Sequence, residues 1–114
     1  MIQIYRNAPT QAVITVILPP GQTLAGKQLT FTAKTSVIEP NTTNVFQKSS
    51  PSDGITITGD FTATMEIDPA DTVALDNFGQ QSLVYNIILT DGSLDYPIAV
   101  DTLVVNGNPA EAIL

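Results

Sequence analysis

Apolar and polar residues alternate with a period of two over several short stretches, and that period predicts half-buried β-strands. In Leu29-Thr30-Phe31-Thr32-Ala33-Lys34 it places Leu29, Phe31 and Ala33 on one face and Thr30, Thr32 and Lys34 on the other. Residues 61–67 repeat the pattern, with Phe61, Ala63, Met65 and Ile67 inward. A short strand over residues 54–58 runs into Gly59-Asp60 and then Phe61. A two-residue loop in which glycine supplies a positive φ predicts a tight hairpin there, with Ile55 and Ile57 sharing the inward face.

A second hairpin is expected where residues 83–90, rich in apolar and aromatic side chains, meet Asp91-Gly92 as a type I′ turn and residues 96–105 return. Tyr85, Ile87 and Leu89 form the inward set of the first arm. Leu103 and Val105 are the inward pair of the second, although Val104 is also apolar and leaves the register open. Pro97 has no N–H to give a ladder, so it marks an edge or a bulge. Residues 11–18 are β-branched and almost continuously apolar, as in a strand covered on both faces or one meeting a partner, and Pro19-Pro20-Gly21 ends it. Residues 2–5 read as a short edge strand, and residues 44–47 as another after the loop Pro40-Asn41-Thr42-Thr43.

One segment leaves the β pattern. Asp68-Pro69-Ala70-Asp71-Thr72-Val73-Ala74-Leu75 has a capping residue, proline at the first helical position and an acid in the first turn. It predicts one or two helical turns near residues 69–75, with Val73 and Leu75 plugging an end of the core. About seven or eight strands with turn signals roughly every 8–12 residues read as an all-β, antiparallel β-sandwich. The chain is expected to be a single domain over residues 1–114, with its core at about residues 11–105 and residues 106–114 as an exit tail.

Composition narrows the chemistry. The chain has no cysteine, histidine or tryptophan, so disulfides, thiolate zinc sites and histidine-based acid–base catalysis are excluded. Four basic residues against eleven acidic ones give a formal net charge of −7. Arg6, Lys27, Lys34 and Lys48 stand singly, so no basic stripe awaits nucleic acid, and an anionic membrane surface would repel the chain. No apolar run reaches the roughly 18 residues of a spanning helix, and the first residues lack the pattern of a signal peptide. A protein made and soluble in a cytoplasm is expected, one able to leave it inside a larger particle.

The order of elements resembles a known family. An apolar strand ends in Leu18-Pro19-Pro20-Gly21; Leu29-Thr30-Phe31-Thr32-Ala33 and the Gly59-Asp60 hairpin follow. Next come the turn Asp68-Pro69-Ala70-Asp71-Thr72-Val73-Ala74-Leu75, the strand Leu83-Val84-Tyr85-Asn86-Ile87, Asp91-Gly92 and the closing Asp101-Thr102-Leu103-Val104-Val105. From residue 11 to residue 105 this resembles the Ig-like domains of bacteriophage virion proteins, including the N-terminal domain of upper baseplate proteins and related tail and head fibre domains. The resemblance implies an Ig-like sandwich without enzymatic activity, assembled on a virion with other virion proteins as a homo-oligomeric trimer or ring. It also implies synthesis in the cytoplasm of a host bacterium. The long C-terminal extension of that family is not present in this sequence.

Candidate chemistry is sparse. Asp68, Asp71 and Asp76 lack the spacing of a calcium loop, and capping with solvation accounts for the first two. Asp91 and Asp95 flank a turn, where nothing would raise one carboxyl pKa as glycoside hydrolysis requires. Ser49, Ser50, Ser52 and Ser93 have no histidine base and no nucleophile elbow. No catalytic, cofactor-binding or metal-binding residue is therefore assigned. The stronger signal is surplus apolar surface. Residues 13–18 are apolar on both faces, residues 110–114 form a second apolar stretch, and Tyr96 beside Pro97 is placed to anchor an interface. Val13, Thr15, Ile17, Tyr96, Ile113 and Leu114 are the candidate interface. Two other readings stay open: a carbohydrate-binding module for host surface glycans, for which Tyr96 would be the platform, and a generic bacterial Ig-like spacer.

Overall fold

Two sheets close face to face over one apolar layer in the computed structural model of the chain, which describes residues 2–36, 44–72, 75 and 80–107. The elements are β1 (Ile2–Tyr5), β2 (Thr10–Thr15), β3 (Gln28–Lys34), β4 (Phe46–Ser49), β5 (Ile55–Ile57), β6 (Thr62–Ile67), α1 (Pro69–Thr72), β7 (Gln81–Asp91) and β8 (Leu94–Asn106). The larger sheet has the order β1-β8-β7-β3-β4 and the smaller one β2-β6-β5. In the immunoglobulin plan one sheet holds strands A, B, E and D and the other C, F and G. Here β2, β6 and β5 stand where B, E and D would, and β3, β7 and β8 where C, F and G would. The expected all-β sandwich is therefore the fold, and all its pairings are antiparallel except β1 with β8, which run parallel.

The alternation in the sequence becomes the core directly. Leu29, Phe31 and Ala33 of β3 face Ala63, Met65 and Ile67 of β6, and all six are buried. Phe31 stacks between two rings, 4.8 Å from Tyr85 and 5.9 Å from Phe46 between centroids. Tyr85, Ile87 and Leu89 of β7 point inward as expected, as do Leu103 and Val105 of β8. Val104 is buried as well, on the opposite face of the same strand. Both faces of β8 are covered there, which is why its hydrophobic pattern left the register open.

Several local expectations are corrected. The first hairpin does not turn in two residues: Thr58 N–H donates to the Thr62 carbonyl at 3.0 Å, leaving residues 59–61 as the loop. Phe61 is thereby turned out of the inward set and is 44% exposed. Its carbonyl instead accepts the Val16 N–H at 2.8 Å. Gly59 is not among the positive-φ glycines. A Cβ there would lie 2.7 Å from Thr62 Oγ1, so glycine serves the close approach rather than the dihedral.

At the second hairpin Asp91 pairs with Leu94, making Gly92-Ser93 the loop. Gly92 alone takes a positive φ, of 65°, which is the type II′ pattern rather than I′. Pro97 does sit at a bulge, where the register between β7 and β8 slips by one residue and Ile98 is the extra residue. β4 begins two residues later than expected, at Phe46. The pairing of β2 ends at Thr15, before the end of its apolar run.

The helical turn forms for the expected reasons. Asp68 stands before Pro69, and Asp71 Oδ2 accepts the Asp68 N–H at 2.7 Å, one half of a capping box. Leu75 is half-buried against the core, as expected of a plug; Val73 lies outside the described residues. Thr72 is fully buried, and its Oγ1 accepts the Asn7 N–H at 2.9 Å, which stitches the turn after β1 to α1.

Candidate interaction surface

Several buried polar groups of the interior are tied into the fold. The buried Ser50 Oγ accepts the Leu29 N–H at 2.9 Å, and Gln47 Nε2 donates to Thr32 Oγ1 at the same distance. Ionisable groups cluster around Lys48. Its residue is only 7% exposed, yet Nζ lies 2.8 Å from Asp71 Oδ2 and 3.4 Å from Asp68 Oδ2. Burial works to lower the Lys48 pKa, but the hydrogen bonds and charges of Asp71 and Asp68 outweigh it and hold the ammonium above its ordinary value. A lysine held protonated is no nucleophile. The cluster is a charged tie from β4 to α1, and sequence spacing gave no sign of it because an isolated lysine carries no pattern that marks burial.

Among the described residues, no group of three or more acidic, histidine or cysteine side chains is placed to hold a metal, and no helix is long and apolar enough to cross a membrane. Asp91 and Asp95 are exposed at the hairpin tip, where Asp95 Oδ1 accepts the Thr90 hydroxyl at 2.8 Å. They do turn work.

The surface is more informative. Among the described residues, Val13, Ile17, Leu94, Tyr96 and Val100 are five of the seven exposed large apolar side chains. All five lie on β2, on its continuation or on the first half of β8. The local reason is alternation in β2: Ile14 and Val16 go into the core, which forces Val13, Thr15 and Ile17 outward. Val13 is 72% exposed and Ile17 96%. Across from them, the β7–β8 hairpin projects past the smaller sheet. Tyr96, paired with the inward-facing Leu89, therefore has only the loop after β2 to pack on.

Between these two walls runs a furrow made of two hollows. One, of about 280 Å³, is lined by Ile17, Leu18, Pro19, Gln22, Lys27, Leu89, Asp91, Tyr96 and Ile98. The other, of about 190 Å³, is lined by Ile14, Thr15, Val16, Ile17, Ile87, Ile98 and Ala99. Ile17 and Ile98 line both, so the hollows adjoin.

The structure thus brings Thr15, Ile17 and Tyr96 of the candidate interface to one furrow, with Val13 on the outer face beside it. Ile113 and Leu114 lie outside the described residues. Sequence reading missed Ile98 and Leu24. Ile98 reaches the furrow only because the bulge at Pro97 turns it there. Leu24, a lone apolar residue in a polar loop, is fully buried, and its N–H donates to the Asp60 carbonyl at 2.8 Å. That contact pins the loop forming the furrow's floor. No family model matches the chain, and neither a curated protein nor a solved structure is similar enough to match it.

Proposed function

We propose that this chain is a non-enzymatic attachment module, and, on the family resemblance, a structural protein of a bacteriophage virion that joins other virion components in the baseplate, tail fibre or head fibre. The observation that carries the attachment reading is the furrow rimmed by the exposed Ile17 and Tyr96, with Val13 exposed on the neighbouring outer face of β2. Single exposed apolar residues are ordinary on a monomer, but exposed apolar side chains standing at the rim of an apolar furrow mark a contact surface. On this reading the outer face of β2 packs against a second copy in a trimer or ring, and partner contacts fall on the same side. Nothing in the furrow resembles a catalytic arrangement: its polar residues are Lys27, whose Nζ donates to the Thr23 carbonyl at 2.8 Å, with Gln22, Thr15 and Asp91.

Light scattering coupled to size-exclusion chromatography tests the assembly. Association that grows with concentration and is abolished by Ile17→Asp supports it; a monomer at every accessible concentration overturns it. One observation favours a second reading. Tyr96 stands over a hollow that also holds Gln22, Lys27 and Asp91, an aromatic platform with polar neighbours such as a sugar ring uses. A glycan array showing binding that Tyr96→Ala removes would favour carbohydrate recognition instead.

A further inference from the structure

The two edges flanking the furrow are not alike. Among the described residues β2 pairs only with β6, and the Leu94–Val100 stretch of β8 only with β7, because β1 covers β8 from Leu103 onward. Each is therefore an edge with backbone groups pointing away from its sheet. The hydrogen bond from Val16 N–H to the Phe61 carbonyl fixes which ones on β2. Successive residues of a strand point their N–H and C=O to opposite sides, so the even-numbered residues of β2 address β6. Gln11, Val13 and Thr15 are left presenting donors and acceptors outward.

Native edges are guarded by charge, proline or a bulge. The β8 edge has all three, in Asp95, Pro97 and the slip at Ile98. The β2 edge has none over Thr10–Thr15. Position A of the immunoglobulin plan, beside B in the smaller sheet, is the place next to β2, and no described strand fills it.

From this we infer that β2 accepts an added β-strand from a different protein, an extended segment with alternating apolar residues and basic flanks. This rests on the attachment reading and names its partner. The strand would lie in the plane of the small sheet, hydrogen-bonded to Gln11, Val13 and Thr15, with its inward side chains over Ile14, Ile98 and Ala99. A six-residue edge offers about 20 Å of pairing.

Charge selects the source. Glu66 sits opposite Gln11 in register, and Asp91 lines the far end of the furrow, against Lys27 alone. A second copy brings a further net −7, and its lysine-flanked apolar strand, β3, is already paired on both edges by β7 and β4. Lys34 and Lys48 are buried, Arg6 Nε donates to the Leu75 carbonyl, and Lys27 already lines the furrow.

The test uses the intact chain and short peptides of alternating valine and threonine, long enough to span β2. One carries paired lysines at its ends, one paired glutamates, and one has lysines with a central proline. Backbone hydrogen exchange is read with and without each peptide. The inference expects the amides of Gln11, Val13 and Thr15 to exchange freely in the chain alone and to gain protection with the lysine peptide. Binding of the other two peptides should be about tenfold weaker or less. Val13→Pro, which removes an outward donor and leaves the pairing with β6 in place, should weaken the lysine peptide by at least about tenfold. Val13→Lys, which guards the edge by charge, serves if the proline variant does not fold.

Strong protection of those amides in the free chain would mean that the edge is already occupied, and it overturns the inference. So does equal binding of all three peptides, or of none. A chain that ignores every peptide yet self-associates through Ile17 keeps the attachment reading and loses the added strand. A strict monomer that takes up the lysine peptide does the reverse for self-assembly.

Discussion

Removing the Asp71 carboxylate tests whether the Lys48 tie stabilises the fold through charge compensation or merely decorates it. In Asp71→Ala two interactions go at once. The cap on the Asp68 N–H, made at 2.7 Å, contributes about 1 kcal/mol in typical helices. The larger loss is the partner of a buried ammonium: breaking a buried pair from one side costs roughly 3–5 kcal/mol when the remaining charge has no other compensation. Lys48 keeps Asp68, but at 3.4 Å and with that carboxylate 63% exposed, so the second partner recovers only part. The expected cost of Asp71→Ala is about 2–4 kcal/mol, a large share of the roughly 5–15 kcal/mol that holds a typical domain together.

Lys48→Met gives the opposite arm of the argument. It removes the buried charge, retains an apolar stem against Gly54, and leaves two carboxylates of which Asp68 is well solvated. Its cost should be about 1 kcal/mol or less. In the double variant the uncompensated ammonium no longer exists, so the cost should fall back to about 1–2 kcal/mol, mostly the lost cap. The chain has no tryptophan, so urea unfolding is best followed by far-ultraviolet circular dichroism. Additive costs for the two single variants, or a Lys48→Met cost equal to that of Asp71→Ala, would refute the reasoning.

Four further outcomes follow from the same structure. Alkaline stability should fall from about pH 10 upward. Both Lys48, ordinarily at 10.5, and Tyr85, ordinarily at 10.0 and raised by burial and then by the Asp101 charge, have folded pKa values above their unfolded ones. Their contribution is complete below the unfolded values and is lost as pH rises through the folded ones, so Lys48→Met and Tyr85→Phe should each flatten the decline in a pH series of urea midpoints. Gly54→Ala should cost more than Gly21→Ala. Both have positive φ, which alone costs about 1 kcal/mol, but only at Gly54 would the new Cβ strike Lys48 Cδ, at 2.5 Å. Phe31→Ala should lose about 3–5 kcal/mol in equilibrium unfolding, whereas Phe61→Ala should lose about 1 kcal/mol or less because its ring stands largely in water. Ile17→Asp should leave the unfolding midpoint nearly unchanged while removing self-association, since a side chain 96% exposed has no packing to lose.

Period-two alternation was enough to identify β3, β6 and β7, because each has one covered face and the pattern reports that face directly. It failed where something other than the strand's own face decides. Phe61 has the right parity for the core, yet its backbone is taken by Val16 and the loop swings the ring out. Val104 reads as a register error and is in fact buried on a second face. Lys48, Thr72 and Ser50 are polar residues buried by tertiary hydrogen bonds and charge pairs, and sequence spacing carries no trace of such pairs. The turn residues were found, but their placement slipped by one: Asp91-Gly92 looked like the loop, whereas Gly92-Ser93 makes it, because a type II′ turn needs glycine first. Of the candidate surface, the exposure of Val13 and Ile17 was legible from a run apolar on both faces, and that of Tyr96 from its place beside Pro97. The furrow joining them depends on the bulge at Pro97 and on how far the second hairpin projects, neither of which a linear pattern encodes.

The contrast between the two edges is the firmest guide to where contact falls. A strand that is apolar on both faces normally sits inside a sheet or between layers, since water on either face would penalise it. The run from Val13 to Leu18 has that composition, yet β2, in which it begins, stands at an edge among the described residues, with Ile14 in the core and Val13 in solvent. In the same molecule the exposed stretch of β8 carries an acid, a proline and a bulge within five residues. Whatever pressure kept β8 from pairing with other chains did not act on β2, although an unguarded apolar edge is a hazard for any protein free in solution. An edge unpaired among the described residues, beside one so well guarded, is what supports the proposal of an added strand there.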